Sequence, residues 1–223
     1  VLFNEDKTTL IAYPGGAPVV ERYEIPSFVT TIASGAFVGC DAEEIVIPNT
    51  VKNVPAWSFS ASITKKIVFD ADVESIGNGT FAGMSDLATF EFGANTKIET
   101  IGDASMSSLP KLTSFNLPKN LKVIGEMAFG NTSLTEITLP DNLQSIGNQA
   151  FKIIDGSAPQ LRKVTFGKNM PALGNQIFLL QKNLTTIDMT RCTNVVNESS
   201  IQNFDGRSKY ETVPTLYVAS EAA

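Results

Sequence analysis

Histidine is absent from all 223 residues. That removes imidazole general bases, Ser-His-Asp triads and the commonest zinc ligand. Cysteine occurs only as Cys40 and Cys192, and two isolated thiols build neither a zinc site nor a disulfide framework. The chain has no apolar run of the roughly eighteen residues that a membrane helix needs, so no transmembrane span is expected. Basic residues are the minority, 17 against 23 acidic ones, for a net charge of −6 and a pI near 4.8. Binding to phosphate backbones needs a basic stripe, so nucleic acid is not an expected partner. Tryptophan appears once while phenylalanine appears 14 times, an imbalance that the pattern below explains.

What is present is repetition. LTSFNLPKNLKVIGEMAF is followed by LTEITLPDNLQSIGNQAF, so that Leu112, Phe115, Leu117, Pro118, Leu121, Ile124, Gly125, Ala128 and Phe129 each recur as an apolar, Pro, Gly or Ala residue 22 positions later, Phe115 as Ile137. A fixed period of this length marks a solenoid, whose short units bury their apolar sides only by stacking. The template, LxxIxIPxxLxxIGxxAF, predicts a β-rich, right-handed stack of about eight coils of 22–27 residues with irregular caps. We assign 1–22 to an N-terminal capping segment, 23–194 to the repeat array and 195–223 to a C-terminal capping segment, all in one continuous domain. VLFN and TLIAYP read as two short strands around a polar turn. Coils one to three follow at intervals of 22, from Ile25, Ile47 and Phe69 to Phe37, Phe59 and Phe81.

Coil four carries two extra residues between Gly93 and Lys97 and one more before Leu112. Coils five and six are the matched pair. The surplus of coil seven lies in the turn-rich stretch Lys152 to Gln160, and coil eight starts at Leu184, Ile187 and Met189 and then decays. Leu216 and Val218 read as the strand of a terminal coil. The final residues break off abruptly, which suggests a longer native chain. The chain opens at Val1 without Met or a visible signal, which is read as processing or trimming that has removed an export signal.

Each slot has a physical reason. In LTEITLP, Ile137 and Leu139 alternate with Glu136 and Thr138, the period of a half-buried strand. Pro26, Pro48, Pro118 and Pro140 mark strand ends, because proline cannot donate to a ladder. The glycines at 77, 102, 125, 147 and 174 mark a corner that needs either φ > 0 or close backbone approach. Phe37, Phe59, Phe81, Phe129, Phe151 and Phe178 stack inside. Ile45, Ile67, Phe90, Phe115, Ile137, Val164 and Ile187 are expected to form one continuous interior ladder. Cys40 and Cys192 lie seven coils apart, roughly 30 Å at about 4.8 Å per coil, so both should be free thiols.

The run from Ile25-Pro26 through Ala36-Phe37 to Cys40 resembles the BspA-type leucine-rich repeat. LFNEDKTTLIAYPGG and Leu216 to Ser220 are similar to that family's opening and closing segments. Pro55 in the glycine slot of coil two and Ser105-Met106 in place of Ala-Phe depart from the pattern. The resemblance implies an extracellular or surface-attached protein, of a family in which some members bind matrix proteins or other cells.

Chemistry is sparse. Glu43-Glu44 and Asp70 with Asp72 read as solvated turn charges rather than an acid/base pair. Asp70-Ala71-Asp72 offers oxygen ligands to calcium but reads better as a polar corner. Gly77-Asn78-Gly79 is turn chemistry rather than a phosphate loop. The four glycosylation sequons, at Asn78, Asn131, Asn183 and Asn197, are of a kind that arises often by chance and would mean little if the source is bacterial. No enzyme activity, cofactor or metal is expected.

The surface with promise is the outward row of strand residues: Arg22, Glu44, Lys66, Thr89, Ser114, Glu136, Lys163 and Thr186 beside Glu24, Val46, Val68, Glu91, Asn116, Thr138, Thr165 and Asp188. Val46, Lys66, Val68, Thr89 and Glu91 are the candidate ligand-binding residues, with Val46 and Val68 expected to be exposed. The expected function is adhesion-type binding of a protein or glycan by a monomeric, surface-displayed or secreted module. The alternative is a spacer that holds another domain away from the cell.

Overall fold

A computed structural model describes residues 1–16, 18–70, 73–93, 96–154, 161–193 and 215–218. Among these residues there is no helix, and about seven turns of a β-solenoid stack through parallel pairing. The eighth begins with Thr186–Met189, onto which Thr215–Val218 pairs in parallel, with Leu216 opposite Ile187 and Val218 opposite Met189. At the other end, Leu2–Phe3 and Thr9–Ala12 form an antiparallel hairpin whose second strand lies parallel to Thr31–Ile32. The calcium and carboxylate-pair readings at Asp72, most of the 152–160 surplus and the sequon at Asn197 lie outside the described residues.

Each coil has three sides. The first carries the long strands, such as Glu44–Ile47 and Lys66–Phe69, with Ile45 opposite Ile67 and Val46 opposite Val68. The strands stop at the prolines, whose carbonyls then accept from the residue three ahead: Val29 on Pro26, Val51 on Pro48, Leu121 on Pro118, Leu143 on Pro140. The second side is a ladder of two-residue strands running from Asn53–Val54 to Ala172–Leu173. The third has no strands, yet it is bonded throughout. Trp57, Phe59 and Ala61 donate N–H to the carbonyls of Asn78, Thr80 and Ala82, and the same three bonds recur at the next four junctions. On this side every such amide points toward the following coil.

The glycine slot settles between its two readings. Gly77, Gly102, Gly125, Gly147 and Gly174 do not have positive φ; a Cβ on each would lie 2.4–2.6 Å from an atom of the preceding coil. Their N–H groups donate to Val54, Ile76, Ile101, Ile124 and Ile146 of that coil at 2.7–2.8 Å. Pro55 has no such hydrogen, which accounts for the missing rung between Thr31–Ile32 and Asn53–Val54, strands that belong to different sheets. Positive φ falls instead two residues after the slot, at Gly35, Trp57, Gly79, Ala104, Met127, Gln149 and Gln176. Beside it, Asn78 Oδ1 accepts from Asp103 N–H at 2.9 Å and Asp103 Oδ1 from Glu126 N–H at 2.7 Å, a side-chain ladder along the corner.

The core is one phenylalanine stack. Phe37, Phe59 and Phe81 lie 4.5 and 5.3 Å apart, and Phe129, Phe151 and Phe178 lie 5.4 and 5.6 Å apart. Met106 interrupts the column, and the stack detours through the strand residues Phe90 and Phe115, with steps of 5.2, 5.2 and 5.3 Å from Phe81 to Phe129. Aromatic pairs at such spacings add to the apolar area each ring buries. Cys40 is fully buried and Cys192 partly so, both as free thiols.

One expectation needs correction. The interior ladder is not continuous as a hydrogen-bonded sheet, because coil five forms no strand on the long side. Arg22–Glu24, Glu44–Ile47, Lys66–Phe69 and Thr89–Phe92 make one four-stranded sheet. Glu136–Thr138, Lys163–Thr165, Thr186–Met189 and Thr215–Val218 make another. Phe115 keeps its inward place, but Phe90 is only partly buried. The local cause is Ser114 and Asn116, weak strand formers in outward positions, beside the crowded trio Phe90, Phe92 and Phe115.

At the N-terminal end Tyr13 and Tyr23 meet edge-on at 4.8 Å. Burial, with Tyr13 alongside, pushes the Tyr23 phenol up to about 12. An unfolded tyrosine ionises near 10, so the unfolded chain loses this proton first as pH rises. The stability from Tyr23 is therefore full below about pH 10 and is lost between about pH 10 and 12. Ultraviolet titration should show a late phenolate step near pH 12 that disappears in Tyr23→Phe; an unchanged titration would contradict the burial.

Candidate functional site

The five candidate residues are contiguous. Glu44, Lys66 and Thr89 stand opposite one another on adjacent strands, as do Val46, Val68 and Glu91. Val46, however, is not exposed: its relative exposure is 8%. The sequence register placed it outward correctly, but Glu24 and Val68 flank it at the roughly 4.8 Å strand spacing and shade a short β-branched side chain. Val68 is half-buried, while Thr89 and Glu91 are exposed. Val46 therefore supports the patch rather than offering contact area.

Charge on this face is organised as a chain of ion pairs. Arg22 bonds Glu24 at 2.8 Å and also pairs with Glu44; Lys66 sits 3.3 Å from Glu44 and 2.7 Å from Glu91. The hydrogen bond from Lys66 holds the Glu91 carboxyl below its ordinary range, and the same bond to Glu91 raises the Lys66 ammonium. Solvated pairs of this kind add little stability; their effect is to fix side-chain positions across four strands. The sequence showed charges of both signs here without showing that they pair. Glu43, set aside as a turn charge, pairs with Lys65 at 2.7 Å.

Sequence reasoning missed the break at coil five. Two grooves flank it. One of about 830 Å³ lies between coils five and six, lined by 114–117 and 136–142 with Lys119 and Arg191. The other, of about 700 Å³, lies between coils four and five, against Phe90, Glu91 and Phe92. Ser114 and Asn116 were the available signal. Among the described residues no cluster of three or more His, Cys, Asp or Glu side chains converges on a possible metal position. No helix among them is long and apolar enough to cross a membrane.

Similarity to known proteins agrees with this geometry. No curated protein matches the chain. Among solved structures, the T. pallidum leucine-rich repeat protein TpLRR is 22% identical with a TM-score of 0.56, over 66% of this chain and 69% of that one. The pneumococcal vaccine antigen PcpA is 17% identical with a TM-score of 0.50, over 83% of this chain but only 65% of that one. These likenesses concern the fold. The family model for the BspA type leucine rich repeat region, present in 6 copies, matches residues 18–118 and 99–215. The chain belongs to the BspA-type leucine-rich repeat family.

Proposed function

We propose that the chain is a non-enzymatic binding module, secreted or displayed at a cell surface, that contacts a protein or glycan of host or neighbouring cells through its long-strand side. The observation that carries this reading is the in-register alignment of Lys66 and Val68 with Thr89 and Glu91 on two adjacent strands, with the charges fixed by pairing. Stacked outward columns of this sort are the extended surfaces that repeat proteins use for partners. Membership of the BspA-type family supports a surface or secreted setting. Both signs of charge lie side by side, so recognition rests on shape and a few central contacts rather than long-range steering.

The test is a screen against matrix proteins and glycans, followed by Val68→Glu and, separately, Glu136→Lys. At least one should weaken binding about tenfold or more, a loss of about 1.4 kcal/mol or greater, with melting temperatures unchanged. If neither does, while changes in Lys152 to Gln160 abolish binding, the loop edge is the active surface and the strands are scaffold.

A further inference from the structure

The break at coil five leaves main-chain groups without partners in the middle of the long-strand side. Among the described residues, no backbone hydrogen bond joins 113–117 to coil four or coil six on this side. Alternate residues of a parallel strand address opposite neighbours. Thr135 accepts from Arg162 and Leu139 donates to Thr165, so 135, 137 and 139 serve coil seven. Glu136 and Thr138 therefore turn their N–H and C=O groups toward coil five, where nothing meets them. They border the groove of about 830 Å³, a volume within the roughly 300–1,000 Å³ of ordinary ligand clefts.

We propose that this groove binds an extended peptide segment of a partner protein, whose main chain pairs with Glu136 and Thr138 as an added strand. The proposal rests on the strand-side reading above and names the partner class. Three observations favour a peptide over a glycan. The donor and acceptor of Glu136 and those of Thr138 recur at two-residue spacing along a line, about 6.6 Å, which is the repeat of another strand's backbone. Beneath them the groove reaches Phe115 and Leu117, apolar surface for alternate side chains of an extended chain. The frame is also held from both other sides. Val123–Ile124 pairs with both its neighbours, and Ala104, Met106, Met127 and Phe129 continue the third ladder through coil five. The groove is thus a gap on one side of coils that are bonded on the other two.

The probe is a linear twelve-residue peptide selected on the whole chain from a displayed random library. N-methylation of its alternate residues in one parity should weaken binding about tenfold or more, and the other parity should leave it intact, because only one set of amides faces the Glu136–Thr138 edge. Thr138→Pro removes an N–H that no coil uses, and should cause a similar loss without lowering the melting temperature. A second variant, Ser114→Val with Asn116→Thr, raises strand propensity in coil five. It should protect the 114–117 amides from hydrogen exchange and abolish peptide binding. Equal binding by both N-methylated forms, unchanged binding to both variants, or a library without binders overturns the proposal. So does self-association that Thr138→Pro abolishes, since the occupant is then a second copy. Peptide or glycan binding that responds to Val68→Glu but to neither Thr138→Pro nor the Ser114→Val, Asn116→Thr pair leaves the strand-side reading standing and removes only this one.

Discussion

Phe129→Ala is expected to destabilise the chain by about 3–5 kcal/mol, lowering the melting temperature by about 10 °C or more. Phe129 is fully buried and lies between Phe115 at 5.3 Å and Phe151 at 5.4 Å. Removing the ring leaves a cavity that the stacked coils cannot close, because hydrogen bonds on the second and third sides fix their separation. The loss should spread to coils five and six together, since each coil is stable only against its neighbours. Met106→Phe makes the contrast: Phe90 and Phe115 already bridge that slot, so an added ring overpacks it and costs about 1–3 kcal/mol rather than repairing the column. Calorimetry of both variants decides the matter. A loss below about 1 kcal/mol for Phe129→Ala would mean that the stack relaxes far more freely than ordinary cores do.

Gly147→Ala should cost about 3 kcal/mol or prevent folding, at the upper end of overpacking effects. The added Cβ would lie 2.4 Å from Glu126 N and 2.6 Å from Gly125 C. Both are backbone atoms of the preceding coil, so no side chain can rotate away. Gly83→Ala separates this cause from backbone conformation. Gly83 has φ of +72° and open space around its missing Cβ, and Ala61 and Ser108 already hold positive φ in that slot. Its cost should stay near 1 kcal/mol. Equal losses in the two variants would refute close approach as the reason for the glycine column.

Much of this was readable because the 22-residue spacing is a register. It placed Ile45 opposite Ile67 and Val164 opposite Ile187, found the strand of Leu216, and sorted outward from inward residues along every strand. It could not show that Val46 is shaded, because shading comes from Glu24 and Val68 on other strands. It offered two explanations for Gly77 and its equivalents, and only the distance to the preceding coil chose one. Coil five departs from the register for a local reason: Leu112, Phe115 and Leu117 fit the template, but Ser114 and Asn116 between them are weak strand formers, and a template of apolar slots does not register the residues between those slots. The third ladder was invisible for another reason. Its bonds are all backbone, which no residue type encodes; only the Asx side chains of Asn78, Asp103 and Asn148, each accepting an N–H of the following coil, mark the corner beside it.

That third side has an electrical consequence. Fifteen of its amides, three at each of five junctions from Trp57 to Leu179, donate in one direction along the stack. Peptide dipoles of about 3.5 D laid head to tail add rather than cancel, as they do along a helix axis. Here three parallel rows run the length of the array, with N–H ends toward coil seven and C=O ends toward coil one. This side is therefore polarised along the axis, its coil-seven end favouring anionic groups and its opposite end cationic ones without a charged side chain taking part. The glycine-slot amides of the second side, which donate to the preceding coil, run the other way.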